Sequence, residues 1–262
     1  PILGRYRGLW GDIKTAVKSK GLNMGIYYAV YEWFKPIYRS NPTAYVDEHM
    51  IPQMKDLVTR YTPDRLWTDG EWDKPSKDWK SEEFLAWLYN ESPVKQNIVV
   101  NDRWGSETRS KHGGIYTTEY GLVGDKEGIE NTVPHPWEEC RGIGTSFGFN
   151  RTEGLYDYST AEQLIKLLVS TVSAGGNLLL DIGPDADGTI PVIMQQRLLE
   201  IGKWLKTSGD AIYGTREFIR TRKDELINPE TNKTNFFTKK DKKNFDIWLK
   251  WPKGESWLKG GK

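Results

Sequence analysis

The stretch Tyr45–Trp72, YVDEHMIPQMKDLVTRYTPDRLWTDGEW, contains one full step of a repeating architecture. Its first part, 45–61, predicts a helix with Pro52 near its opening turns, and Asp64–Thr68 predicts a short strand behind it. The strand ends on a carboxylate, Asp69, with Trp67, Gly70 and Trp72 beside it. An Asp-Gly pair at a strand end is most often only a turn. A carboxylate at the tip of a buried strand, ringed by indoles, is also what sugar-cleaving chemistry requires: the acid does covalent work and the rings hold a pyranose face.

The same helix-then-strand step recurs on both sides. Trp10–Lys20 predicts a helix stopped by Gly21, followed by a strand over Leu22–Val30; Glu82–Tyr89 predicts a helix, followed by a strand over Asn97–Asn101. Strands are further expected at Ile115–Thr118 and Gly144–Phe149. A helix capped by Thr160 runs to Ser173, a buried strand covers Asn177–Ile182, and a long helix covers Met194–Ser208 behind Pro191. Helices alternating with buried strands at this spacing predict a parallel α/β architecture. About six barrel strands are countable, where a closed (β/α)8 barrel needs eight. After Tyr213 the texture changes, and NKTNFFTKKDKKNFDIWLKWPKG predicts a β-hairpin around its Lys/Asp turn. The expected organisation is a barrel domain over 1–212 and the beginning of a β-module over 213–262.

Composition narrows the function classes. With 37 basic and 36 acidic residues the formal charge is +1, so no global field directs the chain to nucleic acid or to an anionic membrane surface. No run of about 18 apolar residues predicts a membrane span, and no basic-then-apolar leader marks a signal peptide. Cys140 is the sole cysteine, which removes intrachain disulfides and cysteine zinc sites, and His49, His112 and His135 are too scattered to predict a metal cluster. No cofactor or metal is expected. Asn-x-Ser/Thr triplets at Asn90, Asn150 and Asn232 permit glycosylation without deciding anything.

In an α/β barrel the chemistry sits at the carboxyl ends of different strands. The expected strand ends supply Asp69, then Asn101, Asp102, Arg103 and Trp104, then Glu119 and Tyr120, then Phe147 and Asn150. Retaining glycosidases use two carboxyl groups roughly 5 to 5.5 Å apart, one nucleophile and one acid then base, and Asp69 and Glu119 can supply the pair. Arg103 either hydrogen-bonds sugar hydroxyls or holds Asp69 ionised, with a plain structural ion pair to Asp102 or Asp69 as the alternative.

LWTDGEW, VVNDRWG, HGGIYTTEY, PWEECRGIGTSFGFNR and GGNLLLDIGPDADGTIP, with YYAVYEWF and FLAWLYNESPVK, resemble in order and spacing the α-L-fucosidases of glycoside hydrolase family 29 over roughly Gly21 to Arg216. The resemblance implies a retaining exo-fucosidase with a (β/α)8-like barrel and a C-terminal β-sandwich, acting on fucosylated glycans. It implies Asp69 as nucleophile and Glu119 as acid/base, with Glu138 or Glu139 as a fallback for the second role. Trp67, Arg103 and Phe147 are implied around the fucose, with Tyr28 at its rim. An aromatic near the C6 methyl would favour a 6-deoxy sugar, because a hydroxyl buried there goes unpaired.

Two departures accompany the resemblance. The family's first barrel strands, with a His-His segment, have no counterpart before Pro1, and the sandwich is represented only by its first strands. A fragmentary enzyme that binds sugar without turnover is therefore one alternative, and another retaining exo-glycosidase such as a galactosidase is the other. The resemblance implies a secreted, periplasmic or lysosomal setting; oligomeric state is not set by the sequence.

Overall fold

The computed structural model describes residues 8–120, 135–217, 227–228, 233–234 and 236–247. They divide into two compact units, one over 8–117 with His135, the other over 118–120 and the residues from 136 onward.

The first unit is built on three parallel strands in sequential order: β1 (Gly25–Ala29), β2 (Arg65–Asp69) and β3 (Val99–Val100). The register pairs Tyr27 with Trp67 and Ala29 with Asp69. Helix α1 (Leu9–Ser19) precedes β1, α4 (Ile51–Tyr61) precedes β2 and α6 (Ser81–Asn90) precedes β3. Between β1 and α4 lie the short helices α2 (Pro36–Ser40) and α3 (Pro42–Tyr45) and a π turn over Val46–Met50, so the helix expected from Tyr45 has a widened opening turn. Pro52, with no N–H to give, sits where that turn hands over to regular α geometry.

One face of the sheet carries Ile26, Tyr28, Leu66 and Val100, packed with Met50, Met54 and Val58 from the α4 side, Phe84 and Leu88 from α6, and Val17 of α1. The opposite face carries Tyr27, Trp67, Asp69 and Val99, because strand side chains alternate. Gly70 then turns the chain at φ +80°; a Cβ there would stand 2.6 Å from that of Tyr31. A 3₁₀ turn, Glu71–Asp73, and the helix α5 (Ser76–Trp79) follow.

In the second unit β5 (Trp137–Gly142) and β6 (Gly176–Asp181) pair in parallel, with β4 (Tyr116–Glu119) on the other side of β5. Helices α7 (Ala161–Ser173) and α8 (Val192–Ser208) cover β6. Thr160 opens α7 as expected, in a capping box with Gln163.

Two expectations need correction. Gly144–Phe149 is a loop, and the strand lies earlier, at Trp137–Gly142. The loop is dictated by Gly144, whose missing Cβ leaves room for the Glu153 carboxylate, and by Gly148 at φ +82°. The strand over NLLLDI is not fully buried: Leu180 faces the helices, and Leu179 is exposed.

The hairpin is present as β10 (Phe236–Lys240) and β11 (Lys243–Ile247), with β7 (Arg216–Glu217) on the other side of β10. Two short paired strands, β8 (Ile227–Asn228) and β9 (Lys233–Thr234), precede it. Val169 of α7, Ile212 and Ile247 form a common buried cluster, so the hairpin shares a core with α7. Its expected continuation over 248–262 and the Asn232 triplet lie outside the described residues.

Candidate active site

Asp69 is the last residue of β2, on the face away from the helices. Both of its carboxylate oxygens are engaged. Arg103 donates from Nη1 to Oδ1 at 2.6 Å, and the Tyr27 hydroxyl donates to Oδ2 at 2.6 Å. Burial opposes ionisation of this carboxyl, but the hydrogen bonds from Tyr27 and Arg103 and the arginine's charge outweigh it and hold the group below the usual carboxylate range. Asp69 is therefore a carboxylate throughout the neutral range, as a nucleophile must be.

The strand ends are tied together so that these contacts keep their geometry. Thr68 and Asn101 are fully buried: the Thr68 hydroxyl donates to Oδ1 of Asn101 at 2.9 Å, and Nδ2 of Asn101 donates to the Thr68 carbonyl at 2.7 Å. One residue on, Asp102 accepts from the Ser110 N–H at 2.8 Å, the Thr117 N–H at 3.1 Å and the Thr117 hydroxyl at 2.7 Å. Thr117 in turn accepts from Nε of Arg103 at 2.9 Å. The sequence NDR thus reads as a brace to β2, an anchor for β4 and a guanidinium aimed at Asp69.

Of the expected sugar ligands, Trp67 lies on the Asp69 face with the Arg65 guanidinium 5.5 Å from its ring centre. Arg103 is only 4% exposed in its side chain and gives donors to both Asp69 and Thr117. Tyr28, expected at the sugar's rim, is on the wrong face. It is buried among the helices, its hydroxyl donates to Gln53 Oε1 at 2.8 Å, and burial pushes its phenol far upward. Tyr27 is the tyrosine that meets Asp69. A one-residue step along a strand exchanges the two faces, and nothing in the YY dipeptide says which ring belongs to which.

Glu119, Phe147, Glu138 and Glu139 belong to the second unit. Glu119 is the exposed last residue of β4. Tyr120 follows it at φ +53°, and its hydroxyl accepts from the Gly142 N–H at 3.2 Å while Arg141 lies over its ring. Phe147 is half exposed in the Gly-flanked loop after β5. Glu138 and Glu139 are both buried on β5. The Thr118 hydroxyl donates to Glu139 Oε2, Oε1 has no hydrogen-bond partner among the described residues, and burial raises this carboxyl above its usual range. Among the described residues no group of three His, Cys, Asp or Glu side chains could hold a metal ion, and no helix is long and apolar enough to cross a membrane.

Replacing Tyr27 by phenylalanine removes the donor to Oδ2 and leaves the Arg103 pair. The Asp69 carboxyl then moves up toward its ordinary pKa, and the acid limb of the kcat/KM profile is expected to move to higher pH. The sign also holds for stability. A carboxyl with a lowered folded pKa stabilises the fold above its unfolded value of about 3.9 and loses that contribution as pH falls through the folded value, so the phenylalanine variant gives up part of it at neutral pH. A pH–rate profile of the two proteins checks the shift; an unmoved acid limb would show that the Tyr27 contact does not set the acidity of Asp69.

Sequential parallel strands, with an ionised and braced carboxylate at a carboxyl-terminal strand end, define an α/β protein of the kind that keeps its chemistry at the ends of its strands. The comparisons with known proteins say which. The chain belongs to the α-L-fucosidase family, whose model matches residues 3–210. An α-L-fucosidase of Dictyostelium discoideum is 46% identical over 233 residues, which cover 86% of this chain and 50% of the relative. The tissue α-L-fucosidase of Homo sapiens is 40% identical over 258 residues, covering 95% of this chain and 53% of the relative. Among solved structures, the Thermotoga maritima α-fucosidase in complex with a mechanism based inhibitor superposes with a TM-score of 0.68 at 38% identity, covering 95% of this chain and 56% of that one. The chain thus spans about half the length of the relatives it matches.

Proposed function

We propose that this chain carries the catalytic residues of a retaining exo-α-L-fucosidase that removes terminal α-L-fucose from glycans. The observation that carries the reading is Asp69: a strand-end carboxylate held ionised by Tyr27 and Arg103, beside Trp67. Asp69 attacks the anomeric carbon while Glu119 protonates the departing oxygen. Glu119 then takes a proton from water, which releases fucose with its configuration retained. Trp67 offers a ring to the sugar, and Phe147 is the aromatic proposed for its C6 methyl. A Thermotoga maritima α-fucosidase at 36% identity is a complex with fucose, which supports the substrate class. We further propose that 1–212 belongs to an eight-stranded barrel domain and 213–262 to a β-module, and that the protein works in a secreted, periplasmic or lysosomal setting, two human relatives being plasma and tissue enzymes.

The chain's half-length match to its relatives keeps one other reading in view, sugar binding without turnover. A panel of 4-nitrophenyl glycosides, followed by nitrophenol release and by NMR of the first-formed sugar, separates the cases. Release from the α-L-fucoside alone, with the α anomer formed first, is expected. Release from galactosides instead, or a β anomer formed first, would overturn the proposal, and fucose binding without release would leave a binding module.

A further inference from the structure

Arg103 is not the only guanidinium at Asp69 among the described residues. Arg109, in the loop between β3 and β4, places Nη2 3.9 Å from Oδ1 of Asp69, beyond hydrogen-bond reach. Its side chain is 34% exposed, against 4% for Arg103. Nε of Arg109 donates to Oε1 of Glu71 at 2.5 Å. Glu71 cannot follow a moving arginine: its side chain is 2% exposed, and its backbone carbonyl accepts from the Trp79 indole N–H at 2.9 Å. Because a guanidinium is planar, fixing Nε fixes the plane and direction of the whole group. Among the described residues, Nη1 and Nη2 of Arg109 make no hydrogen bond. An oriented, accessible group with unspent N–H donors beside a strand-end carboxylate is complementary to an oxygen-rich ligand, and a pyranose presents such oxygens around its ring.

We propose that Arg109, positioned by Glu71, hydrogen-bonds a ring hydroxyl of the sugar held at Asp69. The proposal rests on the glycosidase reading above and adds a second arginine to the one the resemblance places at the sugar. It also accounts for a buried carboxylate just past a strand end: Glu71 sits two residues after Asp69, so the turn that ends β2 carries both the proposed nucleophile and the holder of Arg109.

The test titrates L-fucose by calorimetry and 4-nitrophenyl α-L-fucoside by rate, on the parent, Arg109→Met, Arg109→Lys and Glu71→Gln. Arg109→Met is expected to raise both the fucose Kd and KM by about ten- to a hundredfold, the range for a charged hydrogen bond. Arg109→Lys is expected to recover part of this, since a point charge replaces a directed fork, and Glu71→Gln to raise KM severalfold with Arg109 still in place. An acid limb that moves while Kd and KM stay put overturns the proposal and leaves Arg109 as a counter-charge to Asp69. Unchanged constants in a folded Arg109→Met or Arg109→Lys protein overturn it outright. A parent that neither binds nor cleaves overturns the functional reading and this one with it, whereas a parent that binds fucose as tightly as its Arg109→Met variant overturns this one alone.

Discussion

Asp69→Ala is expected to lower kcat on 4-nitrophenyl α-L-fucoside by about ten-thousandfold or more, the scale on which enzymes lose rate when a covalent nucleophile is removed. The size follows from what the site does with this carboxylate. Its two oxygens are held by Tyr27 and Arg103, so it is ionised and aimed before any sugar arrives. Removing it takes away the proposed covalent step and one contact of the 4%-exposed Arg103 side chain, so a folding loss must be separated from a chemical one. Asp69→Asn makes the separation: its carboxamide oxygen still accepts from Arg103, but it is no nucleophile. Circular dichroism should therefore show a folded asparagine variant with the same collapse in rate. Azide added to the alanine variant is expected to restore nitrophenol release by attacking from the vacated side, forming a carbon–nitrogen bond as the carbon–oxygen bond breaks and giving β-L-fucosyl azide. Either variant turning over near the parent rate would reduce Asp69 to a structural partner of Arg103.

The parallel α/β character was legible because β1, β2 and β3 are short apolar runs set between helices with clear 3.6-residue periodicity, and both signals come from burial on the helix side. β5 was missed for the same reason. Its residues WEECRG include Glu138, Glu139 and Arg141, and apolar density cannot find a strand whose buried positions are carboxyls. GTSFGFN, where two aromatics alternate, carries the stronger strand signal, although Gly144 and Gly148 make that segment a loop.

Within the site, the strand-end position of Asp69 and Arg103 could be read from the chain, because residue type and place in the alternation suffice. Which tyrosine meets Asp69 could not, since both residues of a Tyr-Tyr pair suit either face, and only the pairing of Tyr27 with Trp67 settles it. Arg109 gave no local signal at all. Its meaning depends on Glu71, 38 residues away, and the bond between them exists only after β2 and β3 lie side by side.

Asp102→Ala is expected to be strongly destabilising. Asp102 is fully buried, and three donors converge on its side chain: the Ser110 and Thr117 N–H groups and the Thr117 hydroxyl. Alanine orphans all three in a place closed to water, and each buried unpaired donor costs about 1 kcal/mol or more, so a loss of about 3–5 kcal/mol is expected. At about 2–4 °C per kcal/mol for a chain of this size, Tm falls by about 10 °C. The change also reaches Asp69 without touching it. Thr117 is the acceptor that fixes Nε of Arg103, so a Thr117 released from Asp102 no longer holds the guanidinium in line with Oδ1. Asp102→Asn separates the two effects, because one amide oxygen still accepts while the NH2 group confronts donors. It is expected to keep more stability than alanine yet still raise the pH of the acid limb of kcat/KM, as Arg103 loosens. Melting curves and pH profiles of the two variants measure both effects, and an alanine variant that melts with the parent would mean that water replaces the carboxylate at this brace.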